Sequence, residues 1–72
     1  MQIFVLKTNI ESDKNINIVQ SLMQMHPLVI DWHIDREDID KVMRIEAQSN
    51  IKEEDIIHLL TQYGVASETL SN

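Results

Sequence analysis

Val29-Ile30-Asp31-Trp32-His33-Ile34-Asp35 and Lys41-Val42-Met43-Arg44-Ile45-Glu46-Ala47 are the two stretches on which the fold turns. In the first, Ile30, Trp32 and Ile34 alternate with Asp31 and His33, and the second alternates in the same way. Successive side chains of a strand point to opposite faces, so each stretch reads as a strand with one buried side. The acidic segment Asp35-Arg36-Glu37-Asp38-Ile39-Asp40 between them is read as a hairpin loop. Pairing Ile34 with Lys41 places Trp32 opposite Met43 and Ile30 opposite Ile45 on the inside, with Asp31 opposite Arg44 on the outside.

Working back toward the N-terminus, Pro27 disfavours a helical conformation at the residue before it, so a helix ends at His26. Over residues 16–26 the spacing is helical, with Ile16, Val19, Leu22, Met23 and Met25 on one half of the wheel and Asn17, Gln20, Ser21 and Gln24 on the other. Ser12 or Asp13 supplies the cap at its start. Before that lies residues 2–8, where Ile3 and Val5 point one way and Phe4 and Leu6 the other, the pattern of a central strand.

Toward the C-terminus, Asn50-Ile51-Lys52-Glu53 has the form of a capping box, and Glu53, Glu54 and Asp55 favour the positive end of a helix dipole. The inner arc of this second helix is Ile56, Ile57, Leu59, Leu60 and Tyr63, and Gly64 stands where a left-handed residue ends it. Residues 65–70 make a short last strand. The resulting order is βαββαβ, an α+β chain in which two helices cover one face of a four-stranded antiparallel sheet in the ferredoxin-like arrangement.

Seventy-two residues form one domain, 1–72, at the small end of independent stability, where association with a partner often completes the burial of apolar surface. Without cysteine there are no disulfides, thiolate metal sites or thiol catalysis. No apolar run is long enough for a bilayer, and no leader pattern precedes the first strand, so a soluble cytoplasmic protein with no membrane partner is expected. The formal charge of −6 is spread along the chain and repels phosphate backbones, which makes nucleic acid a poor partner. An RNA-binding sheet would also need stacking aromatics, and Phe4 alone does not provide them.

Four stretches carry a family resemblance: Ile10-Glu11-Ser12-Asp13-Lys14-Asn15, Val19-Gln20-Ser21-Leu22, Trp32-His33-Ile34-Asp35, and Glu53-Glu54-Asp55-Ile56-Ile57 with Tyr63-Gly64-Val65. In them the chain resembles the heavy-metal-associated domain family, the copper-chaperone-like modules in which a loop carries M-x-C-x-x-C. The family continues with a V-x-x-A-L helix, a strand ending in V-x-V-D, and an E-E-x-I helix closed by a GY-like turn. The resemblance spans nearly the whole chain and implies the ferredoxin-like fold. It sets Ser12 and Asn15 at the cysteine positions and Ile10 at the methionine. Soft metal ions are held by thiolates, whereas a neutral hydroxyl and an amide oxygen compete poorly with water. Ser12 and Asn15 are therefore read as helix-start residues, and no cofactor is expected.

Other groupings are weaker. Met23, Met25 and His26 are the nearest soft-ligand combination and define the alternative reading, a copper or zinc carrier using Met and His ligands. Helical spacing nevertheless places the methionines in the core, where methionine usually fills gaps. The acidic loop lacks the glycine and final glutamate of an EF-hand. No serine stands in a nucleophile turn beside a histidine, so a non-enzymatic module is expected. An anion at the helix start near Lys7, Thr8 and Lys14 would be repelled by Glu11 and Asp13. What remains is the outer sheet face, where Ile3, Val5 and Val42 are ringed by Asp31, His33 and Arg44. Apolar patches of this kind mark protein interfaces, and a second copy or another protein is the expected occupant.

Overall fold

The computed structural model describes residues 1–70. The chain runs β1 (Gln2–Thr8), α1 (Asp13–Met25), β2 (Val29–Ile34), β3 (Met43–Ala47), α2 (Glu53–Gln62) and β4 (Ser67–Thr69). The four strands form one antiparallel sheet in the order β2-β3-β1-β4, so the two central strands come from opposite halves of the chain. Phe4, Leu6, Met43 and Ile45 from these central strands share a core with Val19 and Met23 of α1 and with Ile56 and Leu60 of α2. Both helices thus lie on one face of the sheet, each held by an i, i+4 pair of buried side chains.

The β2–β3 register differs from the expected one by two residues. Ile34 faces Met43, His33 faces Arg44, Trp32 faces Ile45 and Asp31 faces Glu46. The loop takes up the difference. The carboxylate of Asp35 accepts the Glu37 N–H at 3.1 Å, that of Asp38 accepts the Asp40 N–H at 2.8 Å, and Lys41 adopts a left-handed φ of 47°. Lys41 thereby belongs to the turn rather than the strand, and the Asp35 N–H donates to the Val42 carbonyl at 2.9 Å to close the hairpin. A shift of two, unlike a shift of one, leaves every side chain on its expected face. Ile30 is the exception: a bulge lets Val29 pair with Ala47, and Ile30 is left 49% exposed.

Two further inner-face expectations are corrected. Met25 is 82% exposed because it lies two residues, about 200° of helical rotation, beyond the core residue Met23. Tyr63 is 54% exposed because it is the C-cap of α2, with non-helical backbone that carries its ring off the core stripe of Ile56 and Leu60.

The start of α2 also lies two residues later than the expected box. Lys52 is the N-cap, and its N–H donates to the Asp55 carboxylate at 3.1 Å. Ile51 decides this: it is buried just before the cap and, with Ile56, forms the hydrophobic staple that fixes the entry of the chain. At the other end Gly64 has φ +82°, its N–H donates to Thr61 at 3.1 Å, and the Val65 N–H donates to Leu60 at 2.9 Å. This is a complete Schellman motif, with the buried Val65 and Leu60 supplying its apolar contact.

A Cβ added at Gly64 meets no atom within 4 Å, so Gly64→Ala is expected to cost only the left-handed backbone penalty, about 1–2 kcal/mol. Leu60→Ala, at a fully buried position, is expected to cost about 2–5 kcal/mol, and replacing the exposed Ile39 less than about 0.5 kcal/mol. Urea unfolding of the three variants checks the ranking.

Candidate functional site

The loop between β1 and α1 is closed by hydrogen bonds of its own. Thr8 is buried, and its hydroxyl donates to the Lys41 carbonyl at 2.6 Å while accepting the Ile10 N–H at 3.3 Å. Ile10 itself is fully buried. Ser12 is the N-cap of α1: its Oγ accepts the Asn15 N–H at 3.2 Å and donates to Asn15 Oδ1 at 3.1 Å. The two residues are thus brought together, but facing one another. Asp13 in the first helical turn is paired with Arg36 at 3.1 Å.

The soft-ligand trio is not brought together. Met23 is buried in the core, Met25 points outward, and His26 is half-buried with its Nδ1 accepting the Leu28 N–H at 3.2 Å. Among the described residues, no group of three or more His, Cys, Asp or Glu side chains is arranged to hold a metal ion. Nor is any described helix long and apolar enough to cross a membrane.

The outer sheet face gathers the remaining candidates. On β1, Ile3 is 46% exposed and Val5 half-buried, while Val42 is half-buried just before β3. Asp31, His33 and Arg44 are all exposed on the same side. Register sorts the charges into rows across the strands. One row runs Asp31, Glu46, Ile3 and the next runs His33, Arg44, Val5. Like types therefore face one another across β2 and β3, whereas the expected pairing set Asp31 against Arg44. Asp31 and Glu46 are directly opposed like charges, which is unfavourable within the sheet, so the acidic row presents its charge outward uncompensated by the facing strand, and Arg44 with the His33 imidazole forms the basic row beside it.

Glu46 belongs to this face and was not singled out from the sequence, although the period of two from Arg44 places it there. Lys7 and Glu68 face one another on the same side at the β1–β4 junction. Counting Lys7 and Arg44 against Asp31, Glu46 and Glu68, the face holds only one of the chain's six surplus negative charges. The exposed edge of β2 is less inviting than the face. Its bulge interrupts the ladder, and the Trp32 N–H is taken by the Asp31 carboxylate at 2.9 Å.

Comparison of the chain with family models, curated proteins and solved structures yields no match.

Ser12→Ala removes the cap of α1 and is expected to destabilise the fold by about 1 kcal/mol, while Ser12→Asp, which keeps an acceptor at the cap, costs less. Thermal unfolding of the two variants measures the difference.

Proposed function

We propose that this chain is a small, non-enzymatic, soluble cytoplasmic binding module with a ferredoxin-like fold of the heavy-metal-associated type, without the thiolate pair, that associates with a second copy through its open sheet face. The βαββαβ order, the β2-β3-β1-β4 sheet and the two helices on one side support the fold. The loop supports the loss of the metal site: Ser12 and Asn15 spend their polar atoms on the helix start.

The observation that carries the association is the sorting of charge into adjacent rows. Consider a two-fold axis lying in the interface and running across the strands between the two rows. It sets Arg44 over Glu46 of the second copy, His33 over its Asp31, and Val5 over its Ile3. Every acidic position then meets a basic one, and apolar meets apolar. Such an isologous contact needs only one self-complementary patch. Elsewhere the surplus of acidic residues makes two copies repel.

Sedimentation equilibrium at micromolar to submillimolar concentration should show a dimer for the native chain. Arg44→Glu and Glu46→Arg should each weaken self-association by about tenfold or more through juxtaposed like charges, yet the two variants mixed together should form a heterodimer. A native chain that stays monomeric, or a mixture that does not associate, sinks the reading.

The family resemblance has a separate test. Ser12→Cys/Asn15→Cys places two thiolates at positions i and i+3 of the helix start. It should acquire one-to-one Cu(I) binding against a competing chelator, while the native chain acquires none. Failure of the double variant to bind counts against the resemblance and leaves the sheet-face contact standing.

A further inference from the structure

On the helical side of the molecule, α1 packs toward β2 and α2 toward β4, and a trough runs between them. Its main part has a volume of about 610 Å³ and continues, through the shared residues Leu22, Met25 and Tyr63, into a second hollow of about 240 Å³ that reaches Pro27 and Leu59. The larger volume lies within the range of small-molecule sites, which are mostly apolar with a few polar groups that fix orientation. The floor follows one stripe of α1, with Ile18, Leu22 and Met25 at i, i+4 and i+7. This stripe is distinct from the core pair Val19 and Met23.

Charge decides what the trough accepts. In a chain with twelve acidic and six basic residues, no carboxylate lines either hollow among the described residues. The one formally charged side chain in the lining is Lys14, at the end nearest the start of α1. Among the described residues Lys14 makes no ion pair; of the two carboxylates expected to repel an anion here, Asp13 is held by Arg36 at 3.1 Å, which leaves Glu11, outside the lining of either hollow, as the one opposing charge. From Lys14 to Met25 the stripe extends about 16 Å along the helix. The trough is thus an open groove, apolar along Ile18, Leu22, Met25 and Tyr63, bordered by the polar Asn17 and Ser21, with a free ammonium at one end.

The geometry points to a binding site for a small amphipathic carboxylate, an unbranched apolar chain with an acid head. The head pairs with Lys14, and the tail lies along Ile18, Leu22 and Tyr63 toward Pro27 under the flexible Met25. Met25 and Tyr63, exposed in the free chain, are the surfaces the tail covers. The site lies on the helical side, away from the sheet face, and does not depend on the dimer.

The probes are dodecanoate, dodecanol and dodecyltrimethylammonium, each below its aggregation concentration, titrated into the native chain and followed by amide and methyl NMR shifts. Dodecanoate should shift Ile18, Leu22, Met25 and Tyr63 and bind about threefold more tightly than the alcohol, the strength of an exposed ion pair. Because the −6 charge of the chain favours the cation, a preference for the carboxylate reports Lys14 rather than the overall field. Decanoate, two methylenes shorter, should bind about fifteenfold more weakly. Lys14→Gln should abolish the preference for carboxylate over alcohol, and Met25→Glu, at a position too exposed to disturb folding, should weaken dodecanoate about tenfold or more. Equal or tighter binding of the cationic homologue, an unchanged preference in Lys14→Gln, or shifts confined to the sheet face would overturn the assignment.

Discussion

Everything in this chain hangs on the pairing of β1 with β3. Phe4 faces Ile45 and Leu6 faces Met43, and these four side chains form the floor on which both helices rest. They share one core with residues of α1, α2 and β2, so the hydrophobic gain from any one contact depends on the rest being in place. With the floor fixed, β2 and β4 add at the two edges, and α1 and α2 are drawn down over Val19, Met23, Ile56 and Leu60. The outer face receives whatever side chains this inner pairing leaves pointing away. The adjacent acidic and basic rows follow from a register that the core chose.

Much of this was legible from residue spacing. The unbroken apolar run of β1, the alternation of the hairpin strands, Pro27 after the first helix, and Gly64 at the end of the second each signal one backbone conformation through a local steric or packing requirement. What escaped was settled at a distance or by competition. The hairpin register moved because Lys41 took a left-handed turn position that the sequence does not announce, since lysine has no special tolerance for positive φ. The second helix began late because burying Ile51 outweighed the side-chain cap offered by Asn50. Met25 was misplaced by grouping half the wheel as core, when the buried stripe is only as wide as Val19 and Met23 with their flanks.

The candidate surfaces were legible to different degrees. Five of the six outer-face residues are on or beside a strand in the expected orientation, and Val42 lies just before β3. The charge rows were invisible without the register, because opposite residues cannot be named until the loop length is known. The helical trough had a signal in the i, i+4, i+7 spacing of Ile18, Leu22 and Met25. Its other wall comes from Leu59 and Tyr63, some forty residues away, and no local pattern brings those together.

The central position of β1 also bears on how the protein is made. This strand is synthesised before its partners at residues 43–47 and 67–69, so its ladder stays incomplete until residue 69 has been added. Asn9 locks the same closure, donating its N–H to the Ala66 carbonyl at 3.2 Å and accepting the Ala66 N–H on its side chain at 3.0 Å. Nascent fragments that stop short of β3 therefore carry Phe4 and Leu6 without their strand partners, and the sheet cannot close before residues 67–69 are available.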